Sequence, residues 1–188
     1  LKSDYKIRTI LDLRTPEEIE DSVEGMMQEL GGNYFNIDLV VDLKPILIPD
    51  FSSVNERLKL VKHHENIKFE ELQFWLNDRK IQLREIFNLL SRKELLPILY
   101  HCAGGKDRTG LVSGMLLSLL GVNSNMIADD YGISSKYLFN HPSSLDSAPF
   151  STWKQYQYFA SPPQVMIRTL RYIETKFGGI YGYLKSIG

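Results

Sequence analysis

Residues Pro97 to Gly110, Pro-Ile-Leu-Tyr-His-Cys-Ala-Gly-Gly-Lys-Asp-Arg-Thr-Gly, constrain the fold more than any other stretch of the chain. A short apolar run of strand character, Pro97 to Cys102, ends in a glycine-bearing loop. A helix is then expected from Thr109 to Leu120, stopped by Gly121. Strand, tight loop and helix in that order make an α/β unit. Cys102 closes the strand, and Arg108 stands six positions later at the helix start. The five residues between them include Gly104 and Gly105, which are free to take positive φ. The loop can therefore curl until successive backbone N–H groups point into one concavity. The helix N-terminus adds unpaired donors and partial positive charge, and the planar fork of Arg108 matches two oxygens of a tetrahedral oxyanion.

One cysteine in 188 residues excludes an internal disulfide framework and any multi-cysteine zinc or iron–sulfur site. Cys102 is therefore either buried filler or a reagent. The formal net charge is −1, so no global field draws nucleic acid or anionic membrane, and any anion recognition must be local. At 43% apolar residues, a chain of this length hides roughly 70% of its unfolded surface and needs no covalent staple. The longest nearly apolar run, Leu111 to Val122, is interrupted by Ser and Gly and falls short of the ~20 residues of a bilayer helix. Without repeats or linkers, the expectation is one domain over residues 1–188. The chain starts at Leu1 and enters a strand-like segment almost at once, so a piece trimmed at the N-terminus is expected. The compartment, cytoplasmic or secreted, and the oligomeric state stay open.

Ile7 to Leu13 has the short, β-branched character of a buried strand. Arg14-Thr15-Pro16-Glu17-Glu18 then reads as a helix start, with Thr15 as N-cap, Pro16 in the first turn and Glu18 completing a capping box. Gly31-Gly32-Asn33 breaks the chain before a second strand, Tyr34 to Val41, and Pro45 and Pro49 bound a loop. Helical spacing predicts helices over Phe51 to Leu60 and Phe69 to Leu90, the latter through Leu72, Trp75, Leu76, Leu83, Ile86, Phe87 and Leu90. Pro97 to Cys102 is the third strand. Further helices are expected over Asn123 to Tyr131 and Pro162 to Phe177, whereas Ser135 to Ala160 reads as loops with short helical turns. The fold class that results is α/β, a mainly parallel sheet flanked by helices.

The donors that hold an oxyanion in this loop also stabilise a thiolate, so the loop activates its own nucleophile. Ala103, Gly104, Gly105, Lys106, Asp107 and Arg108 are the expected phosphate cradle. Attack of the Cys102 sulfur on phosphorus would give a phosphocysteine, dividing one hydrolysis into two displacements. The Thr109 hydroxyl is placed to bond the sulfur and help it leave, and His101 is expected to orient the loop from behind. The leaving oxygen needs a proton from a carboxylic acid within about 3 Å. Asp107 in the loop is a candidate; Asp38 is less favoured, because strand alternation from Ile37 and Leu39 turns it toward solvent. Lys106 is a second cation beside Arg108; its alternatives are a salt bridge to Asp107 or recognition of a headgroup with several phosphates. Asp12 and Arg14 are expected to pair at the strand end. His63-His64, like Asp129 and Asp130, is expected at the surface, and Tyr137, Phe139, Trp153, Tyr156, Tyr158 and Phe159 are read as packing before any aromatic lid.

His101-Cys102-x-x-Gly105-Lys106-x-Arg108-Thr109-Gly110 resembles the signature of the cysteine-based protein tyrosine and dual-specificity phosphatase superfamily. The Lys106-Asp107-Arg108 version, with Ile10-Leu11-Asp12-Leu13-Arg14 upstream and Asp130-Tyr131 downstream, is similar to its bacterial and fungal tyrosine/serine phosphatase branch. Phe177-Gly178-Gly179-Ile180-Tyr181-Gly182-Tyr183-Leu184 resembles that branch's C-terminal pattern, so the likeness covers most of the chain. It implies a phosphotyrosine phosphatase-like fold and metal-free, cofactor-free hydrolysis of phosphotyrosine. Phosphoserine, phosphothreonine and phosphoinositides are further implied substrates; a role for the Lys106-Asp107 pair is implied as well, and Asp42, on the loop after the second strand where the superfamily commonly supplies an aspartate, is a second implied proton donor beside Asp107. An N-terminal strand and an Arg-Ser-Gly segment usual in the branch are absent here, in keeping with trimming. Two rivals are a catalytically silent phosphate-binding module of the same fold and a sulfurtransferase-like enzyme; Arg108-Thr109-Gly110 suits a phosphate dianion better than the latter's substrate.

Overall fold

A computed structural model describes residues 5–20, 32–40, 54–139, 141 and 150–188. Three described strands, β1 (Thr9–Asp12), β2 (Asn33–Asn36) and β3 (Ile98–His101), form an all-parallel sheet in the order β2-β1-β3. All four residues of the central strand are buried, as a parallel strand covered on both faces requires. The chain leaves β1 toward β2 on one side and meets β3 on the other. The carboxyl ends of β1 and β3 are therefore the place where a parallel α/β sheet of this order binds ligands. The register pairs Asp12 with His101, and Leu13 N–H donates to the His101 carbonyl at 2.8 Å. The end of β1 is thereby fixed against the residue preceding Cys102.

The helices among the described residues are α1 (Pro16–Glu20), α2 (Val54–Asp78), α3 (Lys80–Leu90), α4 (Asp107–Leu119), α5 (Ser124–Leu138), α6 (Trp153–Ala160), α7 (Pro163–Phe177) and α8 (Ile180–Ile187). The core joins Leu11 and Leu13 to Leu72, Trp75 and Leu76 of α2, Leu83 and Ile86 of α3, Leu111, Val112 and Met115 of α4, and Val165 and Met166 of α7. Thr15 makes the expected capping box: Glu18 N–H donates to its Oγ1 (3.1 Å) and Thr15 N–H donates to Glu18 Oε2 (2.9 Å). The Asn123 side chain caps α5 by accepting from Asn125 N–H.

Four expectations change. The helices predicted over Phe51 to Leu60 and Phe69 to Leu90 do not meet a break between them: α2 runs unbroken from Val54 to Asp78, and the break falls at Arg79, inside the second prediction. The inward positions of the missed segment are His64 and Lys68, both buried; polar residues there hid the helical repeat from a reading of apolar positions. His64 is accordingly not at the surface but 5% exposed, its ring 4.0 Å from that of Phe159. The stretch expected as loops carries the end of α5 and all of α6. Tyr156, Phe159 and Ala160 build a satellite core there with Leu138, Phe139 and Phe150, while Tyr137 and Tyr158 stay exposed. The second strand pairs only over Asn33–Asn36, and the Pro45 and Pro49 loop lies outside the described residues.

Candidate active site

The loop from Cys102 to Lys106 links β3 to α4. Cys102 is buried, whereas Ala103, Gly104 and Gly105 are exposed, so the sulfur sits beneath an open rim. Gly105 has φ +61°, a left-handed conformation that turns the rim toward the helix and that glycine adopts without a Cβ clash. Thr109, in the first turn of α4, donates its hydroxyl to Cys102 Sγ at 3.2 Å. Behind the loop, His101 Nδ1 lies 3.2 Å from the Cys102 carbonyl oxygen, and His101 Nε2 lies 3.7 Å from Asp12 Oδ2. Asp12 is fully buried. Burial alone would raise its carboxyl, but Arg14, with bonds as short as 2.7 Å, and the Tyr34 hydroxyl at 3.0 Å hold it below the usual range. The expected Asp12–Arg14 pair thus anchors the strand end beside the loop.

Arg108 is 9% exposed. Its Nη1 donates to the Leu13 carbonyl (3.1 Å) and to Glu18 Oε2 (2.6 Å), and its Nη2 donates to Glu18 Oε1 (2.7 Å). Burial would lower the guanidinium's pKa, but Glu18, Cys102 and Asp107 together push it up. The bond to Arg108 in turn holds the Glu18 carboxyl below its usual value.

Asp107 is the hub of a second cluster. Its carboxylate accepts the Tyr131 hydroxyl of α5 at 2.6 Å and lies 3.4 Å from both Lys106 and Lys68, the latter from α2. Burial would raise Asp107, but Lys106, Lys68 and the Tyr131 hydroxyl outweigh it and bring the value to about 2. Burial and the neighbouring Asp107 push the Tyr131 hydroxyl up, so it remains a donor. One turn beyond Lys68, Glu71 is pushed to about 7, by burial first and by the Asp107 charge second. Lys106 therefore makes the salt bridge that was one of its two expected roles.

Of the remaining candidates, Asp38 accepts from Val40 N–H at 2.7 Å and caps its own turn. Asp42 lies outside the described residues. Asp129 and Asp130 are exposed on α5. Cys102, Asp107, Arg108 and Thr109 come together as local spacing suggested. Glu18, Lys68 and Glu71 were not anticipated as part of the site. Glu18 was legible only as a helix cap, Lys68 lay just before the predicted helix, and Glu71 stood inside it as one more polar position, although their spacing of three is itself a helical signal.

A sequence model described as "Tyrosine phosphatase family" matches residues 1–188. A Nostoc commune protein named "Tyrosine-protein phosphatase" is 28% identical over 194 residues, an alignment that takes in 97% of this chain and 62% of that protein. The chain thus spans less than two thirds of the length of the curated relative it matches. No helix among the described residues is long and apolar enough to cross a membrane. With the family match extending from the first residue to the last, this chain belongs to the tyrosine phosphatase family.

Proposed function

We propose that the chain hydrolyses phosphate monoesters, phosphotyrosine foremost, through a phosphocysteine intermediate. The observation that carries the reading is the Thr109 hydroxyl aimed at the Cys102 sulfur at 3.2 Å, beneath a rim that ends in a helix N-terminus. The Cys102 thiolate attacks phosphorus as the bond to the leaving oxygen breaks; the electron pair goes to that oxygen, which takes a proton from a carboxylic acid. Water then attacks phosphorus, its proton passes to the carboxylate, and the S–P bond breaks with Thr109 stabilising the returning thiolate. The backbone N–H groups of Ala103 to Arg108 and the guanidinium hold the equatorial oxygens through both displacements. Asp107 is held as an anion by Lys106, Lys68 and the Tyr131 hydroxyl, which supports a loop-holding role for it and favours Asp42 as the proton donor.

Hydrolysis of p-nitrophenyl phosphate by the wild type, abolished in Cys102→Ser, is the expected result. Full activity in that variant overturns the phosphocysteine route, and inactivity of the wild type favours the silent phosphate-binding module. The same reading extends the substrates to phosphoserine, phosphothreonine and phosphoinositides. For the last, support comes from Lys68, a second buried cation beside Lys106. Lys106→Ala is expected to lower hydrolysis of inositol phospholipids more than that of a phosphotyrosine peptide; an unchanged ratio removes the phosphoinositide activity.

A further inference from the structure

A guanidinium has five N–H donors fixed in one plane. Arg108 directs three of them into the protein: both protons of Nη1, to the Leu13 carbonyl and Glu18 Oε2, and one proton of Nη2, to Glu18 Oε1. A carboxylate that takes one proton from each terminal nitrogen faces the guanidinium end-on. The remaining donors, Nε–H and the second proton of Nη2, lie parallel on the adjoining edge. No acceptor among the described residues takes them. That edge offers two parallel bonds, the arrangement in which arginine grips two oxygens of a phosphate.

Glu18 therefore does not stand where the ester must bind; it selects the edge that is presented. The carboxylate is itself fixed, because Oε2 also accepts Thr15 N–H at 2.9 Å in the capping box of α1. Leu13 and Glu18 lie on either side of one short junction between β1 and α1, so the strand end and the helix start hold the same guanidinium from two directions. Glu18 reaches Arg108 across 90 residues of sequence.

We propose that Glu18 is a positioning residue for turnover, acting through Arg108 to aim its Nε/Nη2 edge at the transferring phosphoryl group. The proposal rests on the assignment of Arg108 to phosphate binding. It opposes the view of Glu18 as an autoinhibitory occupant, and the two differ in the sign of one substitution. Glu18→Gln is the discriminating variant. Glutamine serves a capping box as glutamate does, so the helix start survives. Its amide, however, turns an NH₂ group toward one of the two donating nitrogens, and the paired grip is lost.

The experiment compares wild type, E18Q, Glu18→Asp and Cys102→Ser by kcat and KM on p-nitrophenyl phosphate, by inhibition constants for orthovanadate, and by melting temperature. For E18Q, kcat/KM is expected to fall roughly 10- to 100-fold, the scale of a lost charge-assisted bond and a misaligned fork. The orthovanadate inhibition constant should rise in parallel while the melting temperature stays near the wild-type value. E18D, with the charge kept but one methylene short, should fall between the two, and it serves as the readout should E18Q not fold. An E18Q or E18D enzyme with unchanged kcat/KM and unchanged orthovanadate inhibition overturns the proposal. So does a gain in kcat/KM, which would make Glu18 an occupant. If Cys102→Ser is inactive while E18Q matches the wild type, only the role of Glu18 fails; if Cys102→Ser is fully active, the reading of the site fails first.

Discussion

Gly110 and Tyr131 show how much of the site hangs on single side chains. A Cβ at Gly110 would lie 2.7 Å from Tyr131 Cδ2, and the ring cannot step aside without surrendering its 2.6 Å bond to Asp107. Gly110→Ala gains about 1 kcal/mol of helix propensity but is expected to lose more than that to overpacking, a net destabilisation of about 1–2 kcal/mol. Urea denaturation measures it, and a variant as stable as the wild type would mean that the ring is free to move. Asp107 tests the proton assignment. With its folded value at about 2, below the ordinary 3.8, its contribution to stability is present at neutral pH and is lost as pH falls from about 4 toward 2. A group ionised throughout the working range cannot supply the basic limb of a pH–rate bell. Asp42→Asn is therefore expected to flatten that limb and Asp107→Asn to keep it while raising KM; the reverse pattern would return the proton to Asp107. Cys102, Asp107, Arg108 and Thr109 were legible because one loop and one helical turn bring them together. Tyr131, Lys68 and Glu18 reach this loop from 24, 39 and 90 residues away, distances that no local pattern encodes.

Helix α2 was expected in two pieces, and residues 61–68 between them were missed because their inward positions are polar. His64, Lys68 and Glu71 recur at four and three residues, the spacing of one face of a helix, yet a search for apolar repeats passes over them. Lys68 and Glu71 face Asp107 and Lys106 at the loop, where opposite charges offset one another, whereas His64 packs its ring against Phe159. Glu71 is the exception. Burial and the Asp107 charge lift it from 4.5 to about 7, so between those values the folded protein keeps a proton that the unfolded chain has released. The sign follows from linkage: this group's contribution is intact below about pH 4.5 and is lost as pH rises through about 7. Glu71→Gln cannot ionise and is expected to be the more stable protein at pH 8 by about 1–3 kcal/mol, with little difference at pH 4.5. In melting temperature that amounts to several degrees for a chain of this size. Equal melting temperatures for the two proteins at pH 8 would show that Glu71 ionises freely. The strand–loop–helix unit around Cys102 was readable for the opposite reason: strand, glycine turn and helix start each follow local rules, and the structure departs from them by one or two residues.

At the scale of the whole molecule, the fold converts a nearly neutral chain into a local anion trap. The net charge is −1, but Lys68, Lys106 and Arg108 converge where α2, the β3–α4 loop and the β1–α1 junction meet at the carboxyl ends of the parallel strands. Contacts such as Asp12 with His101 and Glu18 with Arg108 join distant parts of the sequence, so the trap exists only when the sheet is complete. An oxyanion bound there is linked to global stability: a ligand that binds only the folded state stabilises it by about 2.7 kcal/mol at 100 times its dissociation constant. For a chain of this size, that raises the melting temperature by roughly 5–11 °C. Inorganic phosphate is expected to do this for the wild type and for Cys102→Ser, in which the loop amides and Arg108 remain. Phosphate also stabilises proteins generally by exclusion from their surfaces, so the decisive comparison is Arg108→Ala, which lacks the fork but shares the solvent effect. The wild type should gain several degrees more than Arg108→Ala at equal phosphate concentration. If both gain equally, the stabilisation is a solvent effect and the loop beneath Arg108 is not where the anion binds.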